Sequence, residues 1–295
     1  MQSLAALMQT LNLPDGFSET GLEGVRFFAS RQAITRAPLV YNPGICIVVQ
    51  GTKVGYLGGK QFVYDANSYL LVSATLPFEC ETFASPESPL LGLYIDIDLP
   101  QLNVLIDELG AAAMTADEAE QAMPRAIAPV PLEADMLDAI ARLIRCLGDA
   151  HERCILGPGL LREILFRALQ GGQATALYAL AAHNGQFARV ARALQLIQHD
   201  YAQHLDVEQL ARQANMSTSA FHRAFKEVTD DSPLQYLKKI RLSKARDFIV
   251  QQGMKAYVAA DQVGYESASQ FSREFKRYFG HSPAQLMRDS QQERV

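Results

Sequence analysis

The pattern Ser-x-Phe-x-Arg-x-Phe-Lys occurs twice, at residues 219–226 and again 50 positions later at residues 269–276. Around it Ser217, Ser232, Pro233 and Gln235 recur as Ser267, Ser282, Pro283 and Gln285, so residues 211–235 read as repeating at 261–285 without an insertion. On a helix, Phe221, Phe225 and Val228 share one face, as do Phe271, Phe275 and Tyr278, and these faces should pack inward. A second face carries Ser219, His222, Arg223 and Lys226 in the first copy and Ser269, Ser272, Arg273 and Lys276 in the second. Those faces hold hydroxyls and cations and no carboxylate. Such chemistry suits the major groove of duplex DNA, where Arg can pair with guanine O6 and N7, hydroxyls meet either kind of edge, and Lys neutralises phosphate. A single polar face is often only a solvated one, but two copies at a fixed offset call for a repeated partner.

The elements that must position these faces follow from the local sequence. Val207 to Ala214 and then Ser217 to Val228 reads as helix, tight turn, helix. Ala256 to Val263 and then Ser267 to Phe279 reads the same way. Gln270 with Ser267 makes a box of the Ser-x-x-Gln type, which would spend its side chain on the helix end. Between the copies, Ser232 to Gln251 opens with Ser-Pro-x-Gln and predicts one helix. At 1.5 Å per residue its ~20 residues span roughly 30 Å, close to the ~34 Å between successive major-groove faces. Lys238, Lys239, Arg241, Lys244 and Arg246 on this spacer are open to two readings, as phosphate contacts or as ordinary surface charge.

The chain has 295 residues and a formal charge of -5, unevenly spread. Residues 190–295 hold 15 Lys/Arg against 12 Asp/Glu, and residues 1–189 hold 12 against 20, giving +3 and -8. Binding to a polyanion would therefore depend on where the cations sit. The four cysteines, Cys46, Cys80, Cys146 and Cys154, form no Cys-x-x-Cys pair and are too sparse for a disulfide framework. No apolar run approaches the ~18 residues of a membrane span, and the first sixteen residues lack Lys and Arg, so a cytoplasmic protein without a membrane partner is expected.

From about Gly24 to Asp98, short strands alternate with turns: Val25 to Phe28, Ile45 to Gln50, Val54 to Leu57, Phe62 to Tyr64, Tyr69 to Val72 and Leu90 to Ile97. The spacing predicts a β-barrel or sandwich. After Pro100 the period turns helical. Leu132, Met136, Ile140, Leu143, Ile144 and Leu147 form one stripe, Leu160, Leu161, Ile164, Leu165 and Ala168 another, with Gly157 and Gly159 read as the break between them. The first stripe could serve dimerisation or pack within its own domain. The turn His183-Asn184-Gly185 is read as the boundary, giving domains at 1–184 and 187–295, with helix-turn-helix units at about 206–229 and 255–280. The fold class is α+β in two domains, the second all-α.

These residues resemble the AraC/XylS family of transcription regulators from about Ala188 to Arg288. The match includes Leu210-Ala211, Met216-Ser217, Phe225-Lys226, Ser232-Pro233 with Tyr236-Leu237, Arg241-Leu242 and Ala245-Arg246. It is densest at Val263-Gly264-Tyr265-Glu266-Ser267 through Phe271, Arg273, Phe275-Lys276, Phe279-Gly280 and Ser282-Pro283. The resemblance implies base contacts from Ser219, His222 and Arg223 and from Ala268, Ser269, Gln270 and Arg273, with Lys226, Lys276 and Arg277 completing the DNA-binding set. One departure is Asp230-Asp231, where the family usually has Gly before Ser-Pro; Asp tolerates the left-handed conformation better than most residues. More weakly, Pro43-Gly44-Ile45-Cys46 through Gln50-Gly51 and Tyr64-Asp65 through Ser73 and Leu76-Pro77 resemble the cupin-like sensor domains of one branch of this family. The implied partners are promoter DNA, an unknown small effector, RNA polymerase and a second copy in a homodimer. The first histidine is His151, so a His-ligated metal in the barrel is excluded by composition, and no cofactor is expected.

A second reading is a thiol switch through Cys46 or Cys80. Glu79 and Glu81 flank Cys80 and would raise its pKa, and Lys53 lies just beyond six positions from Cys46. An enzyme is not expected, because no Gly-x-Ser-x-Gly elbow, phosphate loop or His-Glu zinc motif occurs. Asp96 and Asp98, at a strand end, read as turn-facing.

Overall fold

A computed structural model of the protein describes residues 4–110, 114–182 and 185–292. The chain divides into two compact units, residues 1–36 with 41–188 and residues 37–40 with 189–295. His183 and Asn184 of the boundary turn lie outside the described residues.

The first unit runs α1 (Leu4–Gln9), β1 (Gly16–Glu19), β2 (Val25–Ser30), β3 (Ile34–Tyr41), β4 (Gly44–Gln50), β5 (Thr52–Leu57), β6 (Lys60–Asp65), β7 (Ser68–Val72), β8 (Leu76–Phe83) and β9 (Leu90–Asp96). Then follow α2 (Leu99–Leu109), α3 (Ala116–Gln121), β10 (Ile127–Pro131), α4 (Ala134–Leu147), α5 (Ala150–Gln170) and α6 (Ala174–Ala181). The strands form two sheets, ordered β1-β2-β9-β4-β7-β10 and β3-β8-β5-β6. They pack face to face through aromatic side chains: Tyr41 of the smaller sheet lies 5.1 Å from Tyr94 of the larger, ring centroid to centroid. The β-rich first domain is thus present, with four strands beyond the six that alternation predicts. β1, β3 and β10 are edge strands, and β3 and β10 carry Pro38, Pro129 and Pro131, which cannot donate to a ladder and so hide a strand from sequence reading. Pro77 masks the start of β8 in the same way, two residues before its pairing with β5 begins at Glu79.

Two helical readings change. Gly157 and Gly159 do not separate helices; they lie with Pro158 inside α5, and the break falls at Gly148-Asp149, where Asp149 accepts from the amides of His151 and Glu152. A Cβ at Gly157 would come within 2.9 Å of the Leu22 methyl groups, which would have to shift to make room. The apolar stripe of α4 is buried, with Ile140 and Leu143 fully enclosed, and α4 packs mainly on α5 of its own unit. The stripe is core, not a free face.

The second unit is helical: α7 (Gln186–Asp200), α8 (Val207–Gln213), α9 (Thr218–Thr229), α10 (Pro233–Gln252), α11 (Ala256–Gln262), α12 (Ala268–Phe279) and α13 (Pro283–Gln292). Serines 217, 232 and 267 cap α9, α10 and α12 by accepting from the amides of Ala220, Gln235 and Gln270. Asp230 takes the left-handed C-cap at φ 58°, where Gly280 sits at φ 82° in the second copy, so the expected turn is kept without glycine.

The offset is not constant across the whole repeat. Val207 and Ala256 open equivalent helices 49 positions apart, whereas Thr218 and Ala268 open theirs 50 apart. The amides of Met216 and Tyr265 make matching bonds to Ala211 and Ala260, which places the extra residue at Glu266, just before the cap. In the second turn Gly264 has φ 79°, and a Cβ there would stand 2.3 Å from the carbonyl oxygen of Ala202.

α10 is buried on two faces. Tyr236, Leu237 and Ile240 close the first helical core with Phe221 and Phe225, while Leu242, Ala245 and Ile249 close the second with Phe271 and Phe275. No helix among the described residues is long and apolar enough to cross a membrane. Gly264→Ala is expected to destabilise the second unit by at least ~2 kcal/mol, from left-handed strain plus a backbone collision. Urea unfolding of the full chain checks this, and an unchanged midpoint would contradict the close approach to Ala202.

Candidate functional site

Each helix-turn-helix unit presents its second helix with one face inward and one outward. Phe221, Phe225, Phe271 and Phe275 are fully buried, and their rings pair 5.4 Å apart within each helix. These aromatic anchors fix helix rotation, because turning either helix would expose two phenyl rings. Ser219, His222, Arg223 and Lys226 on α9 and Ala268, Ser269, Gln270, Arg273, Lys276 and Arg277 on α12 are all exposed. All ten predicted site residues therefore stand on the open faces of two equivalent helices.

The two faces differ in charge. Lys226 and Lys276 occupy the same place in the last turn, but where α12 has Arg277, α9 has the exposed Glu227. The second helix offers three cations and the first offers two beside a carboxylate. Gln270 does not complete the reciprocal cap expected from its spacing: its Nε2 donates along the helix to Glu274 Oε1 at 3.4 Å, while its own amide reaches Ser267 Oγ. The serine still caps, and the amide side chain stays on the surface.

The spacer cations, which sequence left open, are engaged inside the unit. Lys238 pairs with Glu274 at 3.1 Å and Lys239 with Asp231 at 2.7 Å. Arg241 donates to the carbonyls of Tyr201 and Gln203 at 2.7 and 2.8 Å, and burial pulls its pKa down. Lys244 lies over the Tyr201 ring and Arg246 over that of Phe279. All five are engaged within the unit, and Lys238 reaches across to α12.

Glu274 was not singled out by sequence. Burial pushes its pKa up, but hydrogen bonds from Tyr265, Lys238 and Gln270 outweigh that and hold the carboxyl below its ordinary value. No local signal marks it, since both its cross-element partners are distant in the sequence.

In the first unit, the two sheets enclose a mixed polar cluster. Lys53 is only 9% exposed, and its ammonium donates to Tyr41 Oη at 3.1 Å beside the rings of Phe28 and Tyr41. Among the described residues no carboxylate pairs with it. Cys46 Sγ lies 3.9 Å from the same phenol oxygen, and Tyr64 Oη lies 3.3 Å from Cys80 Sγ. Burial pushes the Cys46 thiol up to about 12, more than the nearby Lys53 charge can offset. A thiol in that state is a poor nucleophile.

Comparison with known proteins covers both units. The family described as the AraC-type transcriptional regulator N-terminus matches residues 21–176, and a helix-turn-helix domain matches residues 210–289. The RCS-specific HTH-type transcriptional activator RclR of Escherichia coli (strain K12) is 38% identical over 79 residues, 27% of this chain and 28% of that protein. The HTH-type transcriptional activator RhaS of Klebsiella pneumoniae (strain 342) is 32% identical over 125 residues, 42% of this chain and 45% of that one. The chain thus spans between about a quarter and a half of the length of these curated relatives. In fold it is similar to ToxT of Vibrio cholerae. The structure of ToxT with an unsaturated fatty acid bound (strain SCE256) superposes with a TM-score of 0.59 at 10% identity, over 88% of this chain and 94% of that one. ToxT bound to (E)-4-(8-methylnaphthalen-1-yl)but-3-enoic acid (Vibrio cholerae O395) gives 0.60 at 11% identity, over 88% and 98%. With a match spanning more than half of its length and two helix-turn-helix units behind it, the chain belongs to the AraC-type transcriptional regulators.

Proposed function

We propose that the protein reads promoter DNA with α9 and α12 in adjacent major-groove segments, under control of a small effector held by its first unit. The observation that carries the DNA reading is the matched exposure of ten polar or small residues on two helices whose opposite faces are anchored by buried phenylalanines. In this reading Arg273 and Arg223 address base edges, with Ser219, His222, Ala268, Ser269 and Gln270 beside them, while Lys226, Lys276 and Arg277 meet phosphate. The short side chains of Ser219 and Ala220 give α9 less reach than α12. The protein then acts in the cytoplasm on duplex DNA and RNA polymerase, as a monomer or a homodimer.

The effector site is placed between the sheets. A buried ammonium whose only hydrogen-bond partner among the described residues is a phenol favours an acidic group, because burying an unpaired charge is costly. Both ToxT structures named above hold carboxylic acids, and an acid is the ligand class that suits Lys53 here. The thiol-switch reading is the weaker one, since Cys46 is buried and its pKa is raised.

Three outcomes follow. Arg273→Ala should weaken specific binding by ~1 to 3 kcal/mol and relax one base position, and Lys244→Ala should change base preference nowhere. Selection of preferred duplexes by the full chain measures both. Recovery of a random pool would sink the DNA reading, and a Lys244→Ala phenotype with a silent Arg273→Ala would sink the face assignment. Thermal shift with a series of fatty and aryl-alkenoic acids should stabilise the wild type and not Lys53→Met; a wild type indifferent to every acid would remove the acidic-effector reading. Iodoacetamide at about pH 7.5 should label the exposed Cys154 at least ~100-fold faster than Cys46, as read by peptide mass spectrometry. Comparable rates would restore the thiol switch.

A further inference from the structure

The carboxylate of Glu274 occupies an unusual place on a helix otherwise arranged for an anionic partner. It follows Arg273 directly, yet its side chain is only 16% exposed and lies among partners from three segments. One oxygen accepts from the Tyr265 hydroxyl at 2.8 Å, in the turn before α12. The other is 3.1 Å from Lys238 Nζ, on the spacer helix α10, and 3.4 Å from Gln270 Nε2, in the first turn of α12. One side chain therefore ties the second recognition helix both to its own turn and to the helix between the two helix-turn-helix copies.

Packing between the two helices is open on the side where this link lies. A cleft of about 480 Å³, walled by Leu234, Leu237, Lys238, Tyr265, Gln270 and Glu274, opens between α10 and the start of α12. Phe271 and Phe275 of α12 share a buried core with Leu242, Ala245 and Ile249 of α10, none of which lines the cleft, so apolar packing holds the helix pair together and leaves its cleft side open. The polar link crosses this gap. In the first helix-turn-helix copy the equivalent position is Ala224, which is fully buried and apolar, so the link is specific to the second copy and is not shared by the repeat.

We propose that Glu274 is a positioning residue for DNA reading: by latching α12 to α10 through Lys238, it sets the half-site separation that the two recognition helices accept. The inference rests on the DNA-reading function proposed above. Two helices on one duplex must meet their half-sites at once, and an added base pair both lengthens and rotates the target. A rigid pair rejects that change, whereas a hinged pair follows it. Glu274 touches no base in this scheme. Its effect is on geometry, so it should appear in the tolerance for spacing and not in the bases preferred within each half-site.

The test titrates full-length wild type, Glu274→Gln, Lys238→Met and the exchanged pair Lys238→Glu with Glu274→Lys against the duplex that the wild type selects. The same duplex is then used with its half-sites moved by one and two base pairs in either direction. Wild-type affinity is expected to fall about tenfold for the first displaced base pair, and that of each single variant by less than about threefold, with base preferences inside the half-sites unchanged. The exchanged pair, which rebuilds the ion pair in reverse, should recover the sharp dependence on spacing. A Glu274→Gln variant with the wild-type spacing profile would overturn the latch, as would an equal loss of affinity at every spacing. A wild type that selects no sequence overturns the DNA reading itself, an outcome distinct from wild-type binding whose spacing dependence ignores Glu274.

Discussion

The burial of α10 from both sides is the constraint on which the second unit depends. Each half has only a few helices, too small a core to be robust alone, and each takes its missing wall from the same 20-residue helix. Tyr236, Leu237 and Ile240 point into one core and Leu242, Ala245 and Ile249 into the other, so the apolar positions wind around the helix and do not keep to one stripe. A helix with this pattern cannot lie on a surface. Its cations make ion pairs, carbonyl contacts and ring contacts within the unit, and the outer faces of α9 and α12 keep Arg223, Lys226, Arg273, Lys276 and Arg277 exposed.

The two copies share one scaffold and differ around it. Both keep the serine cap, the paired phenylalanines and the left-handed C-cap, which are the features that hold a short helix at a fixed rotation. What differs surrounds those features. Glu266 lengthens the second turn by one residue, Arg277 replaces Glu227 on the outer face, and Glu274 replaces the buried Ala224. A shared scaffold with unlike rims fits the proposed reading of two different half-sites, because the groove geometry is common and the base edges are not.

Much of this architecture was legible in the chain. The bounds of α8 to α12 lie within about a residue of those read from Ser caps and phenylalanine spacing, since amphipathic period and capping chemistry are local properties. That the ten residues proposed for DNA contact lie on exposed helix faces could be read for the same reason. Strands β3 and β10 could not, because Pro38, Pro129 and Pro131 suppress the strand signal and only a place at a sheet edge makes them tolerable. Gly157 and Gly159 looked like a break for the opposite reason: small residues read as helix terminators, although here both lie inside α5, Gly157 beside the Leu22 methyl groups. Lys53, Arg241 and Glu274 owe their roles to partners between 9 and 40 residues away, and no window along the sequence brings those partners together.

The charge of the whole chain also takes on a different meaning. An acidic protein that grips DNA by bulk attraction would be self-defeating, and at -5 this chain has no general attraction to offer. With Lys238, Lys239, Arg241, Lys244 and Arg246 turned to internal work, the open faces of α9 and α12 keep Arg223, Lys226, Arg273, Lys276 and Arg277. So few cations neutralise few phosphates, which makes sequence-independent binding weak. In the proposed DNA reading, base edges and correct spacing would then supply most of the discrimination, and the geometry between the two helices would matter as much as the side chains they carry.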